Sequence, residues 1–189
     1  MTLASRAVAG LLVLAWTVGP QVPEDLVARL KNPSEVERSA ALIALGKLQA
    51  PDVALLGVIA DSLLDPTEDV RVAAAYSLAG VAGKLGCKVT ALAECKLLKD
   101  VLDSTPKSTR TVPPEYPTNA YRLSIQGAVR MEGLIREDGS VDRIRVIDGP
   151  EELRGAAMAS FKKWHFRPAS RRGKPVPFAM VVTINFTQS

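Results

Sequence analysis

The sequence predicts an α+β protein in which a helical solenoid is followed by a small antiparallel three-stranded sheet packed with one helix. Two observations carry this prediction. A segment of the first half recurs thirty-three positions later, as in stacked helix pairs. Near the C-terminus, the apolar period changes from two to the helical period and back to two, which indicates a hairpin, a helix and a closing strand.

Residues 1–20 have the pattern of an export signal. Arg6 precedes an apolar run from Ala7 to Gly19. This length suits a secretory signal peptide better than a membrane span, which needs about 20 apolar residues. No small-x-small pair precedes Pro20, so an uncleaved signal anchor stays open. We expect a periplasmic protein, either secreted or held to the inner membrane by that anchor.

Residues 21–104 are expected to form short amphipathic helices. The stretch from Asn32 to Ala41 recurs from Asp65 to Ala74, with proline in the second place of each copy. Asn or Asp ends one helix, and Pro opens the next in the first turn, where no N–H is needed. Asp52 to Leu64 supplies the helix between the copies, and Val89 to Leu102 supplies a last helix that caps the stack.

This pattern resembles HEAT repeats, the helix-pair family of α-solenoids. The second copy has the Asp-Pro-x-x-x-Val-Arg-x-Ala-Ala form, whereas in the first copy the valine falls one place earlier, at Val36. HEAT arrays offer surfaces to protein partners, so the resemblance implies a second partner on the HEAT face. A plain helical spacer is the alternative, and both interpretations stay open.

Cys87 and Cys95 are the only cysteines, and an even number in an exported protein suggests a disulfide. Along one straight helix they would be about 12 Å apart, too far for a bond. A disulfide therefore requires Cys87 to lie in a loop, which Gly86 allows; two separate buried thiols are the alternative. Two cysteines and the distant His165 do not make a metal site.

Residues 105–113 are polar and contain proline, which predicts a semi-rigid linker to a C-terminal domain at 114–189. Gly127 to Arg136 alternates as a half-buried antiparallel strand. The turn sequence Glu137-Asp138-Gly139-Ser140 then predicts a hairpin. Val141 to Asp148 is the second strand, and its irregular alternation indicates a bulge or burial on both faces.

A helix from Glu151 to Trp164 is expected to follow, and Pro168 stops its continuation. Val176 to Phe186 is a long closing strand. A helical crossover favours parallel second and last strands, so the first strand lies between them and the last lies at an edge. One face of the closing strand carries Phe178, Met180, Val182, Ile184 and Phe186, and the other carries Ala179, Val181, Thr183 and Asn185.

Together these features resemble the C-terminal domain of the TonB family of energy transducers. The resemblance covers about the last eighty residues. The matching residues are Pro114-Glu115-Tyr116-Pro117, Gly127 with Val129, Asp138-Gly139-Ser140-Val141, Phe161-x-x-Trp164-x-Phe166-x-Pro168-Ala169 and Gly173-Lys174-Pro175-Val176.

The resemblance implies an exported adaptor that binds N-terminal segments of outer-membrane receptors and supports transmembrane transport. In the family, the closing strand captures an extended segment by strand addition. The corresponding residues here are Phe178, Ala179, Met180, Val181, Val182, Thr183 and Ile184. Residues near the Pro-x-Tyr-Pro motif assist, here Pro114, Tyr116 and Pro117. The family often has Gln before this motif, where this chain has Pro113, and a functional His in its membrane helix, which residues 1–20 lack.

The C-terminal part is basic, since residues 110–189 hold thirteen Lys and Arg against eight Asp and Glu. This charge permits contact with an anionic cell-wall polymer, although a solvated positive surface is the simpler explanation. Nucleic acid is not expected, because basic and acidic residues alternate and no Arg-rich recognition helix occurs. Arg171 and Arg172 could clamp a carboxylate, but a solvated loop is favoured.

No catalytic motif is present, because the sequence has neither G-x-S-x-G nor a Gly-rich phosphate loop, and His165 is its only histidine. We therefore expect no enzyme activity and no cofactor. The alternative to a transport adaptor is a periplasmic scaffold or regulatory module. In that alternative the helical stack binds one protein and the sheet another, without energy transduction.

Overall fold

The computed structural model describes residues 22–188, which form a helical part followed by antiparallel sheets. The predicted targeting segment, residues 1–20, lies outside the described residues. The helical part contains α1 (Glu24–Arg29), α2 (Glu35–Lys47), α3 (Ala54–Asp61), α4 (Glu68–Lys84) and α5 (Lys96–Val101), with 3₁₀ segments at Ser62–Leu64 and Val89–Glu94. The second part contains β1 (Lys107–Arg110), α6 (Thr118–Arg122), β2 (Gly127–Ile135), β3 (Val141–Asp148), α7 (Glu151–Lys162), β4 (His165–Arg167), β5 (Ala169–Arg171), β6 (Lys174–Val176) and β7 (Phe178–Phe186).

The main sheet has the order β3-β2-β7 and is antiparallel throughout, as the sequence predicted. β2 and β7 pair without interruption from Gly127 opposite Phe186 to Ile135 opposite Phe178. Two further strand pairs, β1 with β4 and β5 with β6, flank this sheet. The central position of β2 leaves β3 and β7 as the two edges.

The β2–β3 turn requires glycine at its third position. Gly139 has φ +85°, and a Cβ there would lie 1.9 Å from the carbonyl oxygen of Phe166. Asp138 closes the turn by accepting hydrogen bonds from the Ser140 hydroxyl and backbone N–H, and these bonds lower the pKa of the Asp138 carboxyl. The predicted hairpin is therefore present, and the space around its turn excludes any side chain at Gly139.

The irregularity of β3 is a bulge. Arg143 has φ +47°, and the β2–β3 register shifts across this position. One extra residue on β3 explains why its apolar residues do not alternate strictly. Of the two explanations that the sequence left open, the structure shows the bulge.

The predicted linker, residues 105–113, is not a free connector. It contains β1, which pairs with β4, and the Val112 carbonyl accepts hydrogen bonds from the Ser160 hydroxyl and the Trp164 indole. The helical part and the main sheet also share one hydrophobic core. Sheet residues of this core, packed with residues of α2, α3, α4 and α5, are Leu134, Ala169, Val176, Phe178 and Ala179.

The two repeated segments make matching contacts. In the first copy, the Arg38 guanidinium donates to the backbone carbonyls of Asn32 and Pro33. In the second copy, the Arg71 guanidinium donates to those of Asp65 and Pro66. Arg38 also pairs with Asp65 of the second copy at 2.8 Å. Arg71 pairs with Glu137 of the sheet hairpin at 2.8 Å. The sheet hairpin thus supplies the carboxylate for Arg71 that the second copy supplies for Arg38. The assignment of the helices to HEAT repeats stays a prediction.

Three predicted elements end differently. The last helix is divided into Val89–Glu94 and α5, because Ala91 has non-helical angles, φ −140° and ψ 35°. The closing strand is divided into β6 and β7 at Pro177, which lacks the N–H that a continuous ladder needs. α7 ends at Lys162, two residues before the predicted end at Trp164, and His165–Arg167 then forms β4.

Candidate functional site

The peptide groups of β7 form two sets, one facing β2 and one facing away. The Arg136 N–H donates to the Ser140 carbonyl oxygen at 2.9 Å, so the peptide groups of Arg136 face β3. Peptide groups alternate between the two sides of a strand, so those of Ile135 face β7. Ile135 pairs with Phe178, so the peptide groups of Phe178 face β2. Because the register is unbroken, alternation along β7 directs the peptide groups of Val182 towards β2 and those of Val181 away from it.

The outward peptide groups of β7 therefore belong to Ala179, Val181, Thr183 and Asn185. Within residues 22–188, no backbone hydrogen bond joins β7 to any element except β2. The two halves of this edge differ, because Ala179 and Val181 are buried, whereas Thr183 and Asn185 are exposed. The second half of β7 is the more open part of the edge.

The seven strand residues predicted as the peptide-binding set divide by this geometry. Ala179, Val181 and Thr183 direct their peptide groups outward. The others, which direct their peptide groups to β2, are Phe178, Met180, Val182 and Ile184. Asn185 also faces outward but was not in the predicted set. Because peptide groups alternate strictly along a strand, the hydrogen bond between Arg136 and Ser140 is enough to assign each residue of β7 to one of the two subsets.

The opposite edge, formed by β3, is less suited to adding a strand. Its register with β2 shifts twice, once at the Arg143 bulge and once near its end. Its exposed side chains include the charged groups of Arg145 and Asp148. Bulges and charges are the features by which proteins protect an edge from pairing. β7 is therefore the better docking edge of the two.

The structure brings part of the Pro-x-Tyr-Pro motif to the end of β7. The Tyr116 ring packs edge-to-face on Phe186, with ring centroids 5.4 Å apart, and its hydroxyl donates to the Ile125 carbonyl oxygen at 2.7 Å. Tyr116 and Pro117 line a groove of about 500 Å³ beside α7. Pro114 is half-buried and is not among the residues that line this groove.

A disulfide joins Cys87 and Cys95, whose Cα atoms are 5.6 Å apart. Cys87 lies in the loop after α4, and Gly86 adopts φ +96°, so the chain can turn back. The bond closes the loop that contains the 3₁₀ segment Val89–Glu94. This segment packs against β7, and its Leu92 belongs to the shared core together with Phe178 and Ala179.

Arg171 and Arg172 do not form the solvated loop that the sequence favoured. Both guanidinium groups donate to the Asp61 carboxylate at the end of α3, and Arg171 also donates to the Val101 carbonyl oxygen. Gly173 N–H donates to the Asp103 carboxylate. The β5–β6 hairpin is thus bound to the helical part by ion pairs and hydrogen bonds. The sequence showed the arginines but had no signal for which carboxylate they would meet.

The arrangement defines a class of protein: a small sheet with one regular edge strand free to pair, carried on a helical support. Residues 112–187 match the family model described as the Gram-negative bacterial TonB protein C-terminal. The predicted resemblance of this part of the chain is therefore confirmed. The residues that precede the match include the whole helical support.

A solved structure also matches, the solution NMR structure of the Pseudomonas aeruginosa TonB CTD. It is 29% identical, covers 46% of this chain and 90% of its own, and superposes with a TM-score of 0.40. No curated protein matches the chain. In the part of the chain that the structure describes, no helix has the length and apolar character needed to cross a membrane.

Proposed function

We propose that this protein is an exported adaptor that binds an extended segment of a protein partner by strand addition along the free edge of β7. The partners we propose are N-terminal segments of outer-membrane receptors, and the process supported is transmembrane transport. The match of residues 112–187 to the TonB C-terminal family supports this partner class. The proposed action is binding alone, without catalysis or a cofactor, in the periplasm.

One observation carries the proposal: β7 is a regular edge strand whose outward peptide groups have no backbone partner within residues 22–188. An added strand would satisfy these donors and acceptors, and side chains at alternate positions would set its register. The exposed half around Thr183 and Asn185 is where pairing can begin without moving any other element.

The test is a pair of proline variants that differ by one position. Thr183→Pro removes an outward N–H at an exposed position, so the fold should persist, and peptide binding should weaken by roughly 1–3 kcal/mol, the scale of a backbone hydrogen bond left unmade. Val182→Pro removes an N–H that faces β2, so the sheet should be strongly destabilised. Circular dichroism reports the fold, and titration with receptor N-terminal peptides reports binding.

The pair also contains its own control. A folded Thr183→Pro protein that binds peptides as tightly as wild type would show that strand addition does not occur at this edge. If Thr183→Pro unfolds the protein and Val182→Pro does not, the assignment of inward and outward groups is reversed.

The second candidate function is a scaffold in which the helical part binds a protein partner. It is favoured by apolar side chains on α2, because Val36 is 70% exposed and Ile43 is 48% exposed. Ile43 also lines a groove of about 480 Å³ between α2 and α4. If Ile43→Glu abolishes capture of a partner that the Thr183→Pro variant still binds, the scaffold function takes precedence.

A further inference from the structure

We propose that the Cys87–Cys95 disulfide is a thiol-exchange site, and that its reduction by a protein dithiol releases the 3₁₀ segment Val89–Glu94 from β7. The redox state of this bond would then control how much of the β7 edge is accessible. The observations that carry this inference are the access to the bond, the weak internal bonding of the segment it closes, and the contact of that segment with β7.

The disulfide is reachable from the surface. Both cysteines line a groove of about 380 Å³, together with Ala91 and Leu97. Cys87 is 8% exposed and Cys95 is half-buried, so Cys95 is the more exposed cysteine of the two. A structural disulfide sealed inside a core would give no such approach to an attacking thiolate.

The charge around the groove favours the reaction. Lys88 and Lys96 are exposed, line the groove and flank the two cysteines. Neighbouring ammonium groups stabilise thiolates, which are both the attacking and the leaving species in disulfide exchange. Glu94 also lines the groove, but its carboxylate is paired with Lys99 at 2.8 Å.

The reduction proceeds by ordinary thiol–disulfide exchange. One thiolate of the protein dithiol attacks Sγ of Cys95, and the Cys87 thiolate leaves, forming a mixed disulfide. The second thiolate of the dithiol then attacks the other sulfur of the dithiol, which is bound in the mixed disulfide, and the Cys95 thiolate leaves. In sum, the Cys87–Cys95 bond gains two electrons and two protons, and the dithiol is oxidised to a disulfide.

The segment that the bond closes has little regular structure to hold it. It is a 3₁₀ segment, and Ala91 interrupts it with non-helical angles. Leu92, 3% exposed, anchors it in the shared core. Opening the covalent loop restores conformational freedom to the segment that Leu92 anchors, so local opening becomes easier.

The contact with β7 connects the bond to the edge strand. Leu92 shares its core with Phe178 and Ala179, and the partly buried Met180 packs against the same cluster. Ala179 is an outward position of β7, and it is buried in the oxidised protein. Release of the segment would therefore uncover the first half of an edge whose second half is already exposed.

Hydrogen exchange on the whole protein tests this without any receptor. Oxidised protein, protein reduced with dithiothreitol and the Cys87→Ser/Cys95→Ser variant are compared by mass spectrometry. In the latter two, amides of residues 87–95 and the outward amides of Ala179 and Val181 should exchange about 10- to 100-fold faster, the scale of closing a loop this short. Amides in α2 should be unchanged. Equal exchange in all three proteins overturns the proposal.

Two further outcomes decide the matter. The rate of reduction should rise in proportion to dithiothreitol concentration under native conditions. A rate independent of that concentration would show that the bond opens only after unfolding, and this overturns the proposal. A double-serine variant that is unfolded by circular dichroism does the same, because a switch needs a folded reduced state.

The effect on binding rests on the proposed strand addition and is measured separately. Peptides long enough to pair along all of β7 should bind the reduced protein more tightly than the oxidised one. Peptides that pair only beyond Val181 should bind both forms equally. If exchange changes on reduction and no peptide binds either form, the proposed function fails and the thiol-exchange site stands.

Discussion

The two faces of the main sheet are closed by different parts of the chain. On the α7 face, residues of β2 and β7 pack with Leu153, Ala157 and Phe161 of α7, all within the family-matched segment. On the opposite face, which we call the α4 face, Leu134 and Ala179 pack with the helical part. Tyr76 of α4 also reaches this face, and burial together with the nearby Glu132 carboxylate raises the pKa of its hydroxyl.

The difference shows that the family-matched segment covers only the α7 face of the main sheet with its own helix. The alternating pattern of β7 predicts that Ala179 and Val181 face away from α7, yet both are buried. A sheet without the helical part would expose them. The helical part is therefore a structural layer that covers the second face of the sheet. Four predictions test this comparison, two on the faces themselves and two on the helical layer and its attachment to the sheet.

The largest effect is expected on the α7 face. Phe161 is 0% exposed and fills the space beside Gly133, where a Cβ would lie 2.5 Å from its ring. Phe161→Ala should lower the free energy of unfolding by about 3–5 kcal/mol, because it leaves a cavity at the centre of the α7 core. Chemical denaturation measures this. Met158→Ala on the exposed side of α7 is the control and should change stability little.

A slightly smaller effect is expected on the α4 face. Leu134 is 1% exposed and packs with the helical part. Leu134→Ala should lower the free energy of unfolding by about 2–4 kcal/mol. Ile147→Ala, at a 41% exposed position of β3, is the matched control. If Leu134→Ala costs no more than the control, the helical part does not close this face in solution.

The third effect lies within the helical layer and depends on pH. Burial raises the pKa of the Asp65 carboxyl, but hydrogen bonds from Arg38 and Thr67 and the Arg38 charge outweigh it, so the pKa lies below 3.8. This carboxylate therefore stabilises the fold fully above pH 3.8, and the contribution is lost as pH falls through the folded pKa.

Denaturation midpoints measured from pH 6 down to about pH 2 should fall more steeply for wild type than for Asp65→Asn. Asp69→Asn is the matched control, since its side chain is 78% exposed. Parallel curves for wild type and Asp65→Asn would show that the Arg38–Asp65 pair does not join the two copies as described.

The smallest effect concerns one of the ion pairs that join the helical part to the sheet, the pair between Arg71 and Glu137. Arg71 and Glu137 are about one-quarter exposed, 24% and 27%. A double-mutant cycle with Arg71→Ala and Glu137→Ala should give a coupling of about 0.2–1 kcal/mol that decreases with salt. A coupling of zero at low salt would mean that this ion pair does not help to hold α4 on the sheet, and that core packing and the pairs Arg136–Glu68 and Arg143–Asp69 do so without it.

Much of the sheet followed from local rules. The hairpin followed from Glu137-Asp138-Gly139-Ser140, because this turn needs a residue with positive φ, and Gly139 has it. The strand order followed from the helical crossover through α7, which favours parallel β3 and β7 and so places β2 between them. The position of β7 at an edge, on which the proposed binding site depends, could therefore be predicted from the sequence.

Other features depended on contacts between residues far apart in sequence. The partner of Arg71 is Glu137, and the partner of both Arg171 and Arg172 is Asp61. A surface arginine has the same local pattern whether it is solvated or paired. Only the packing of the helical part on the sheet brings these carboxylates within reach.

The sequence by itself determined the elements whose apolar period and turn residues act locally: the repeated helices, the β2–β3 hairpin, α7 and the edge position of β7. Only the tertiary structure decided which peptide groups of β7 face outward and which part of that edge is covered. The phase of a strand depends on one hydrogen bond, between Arg136 and Ser140, and the cover over Ala179 comes from a segment far earlier in the chain, around Leu92. Periodicity describes which residues share a face, but it contains no information about what packs on that face.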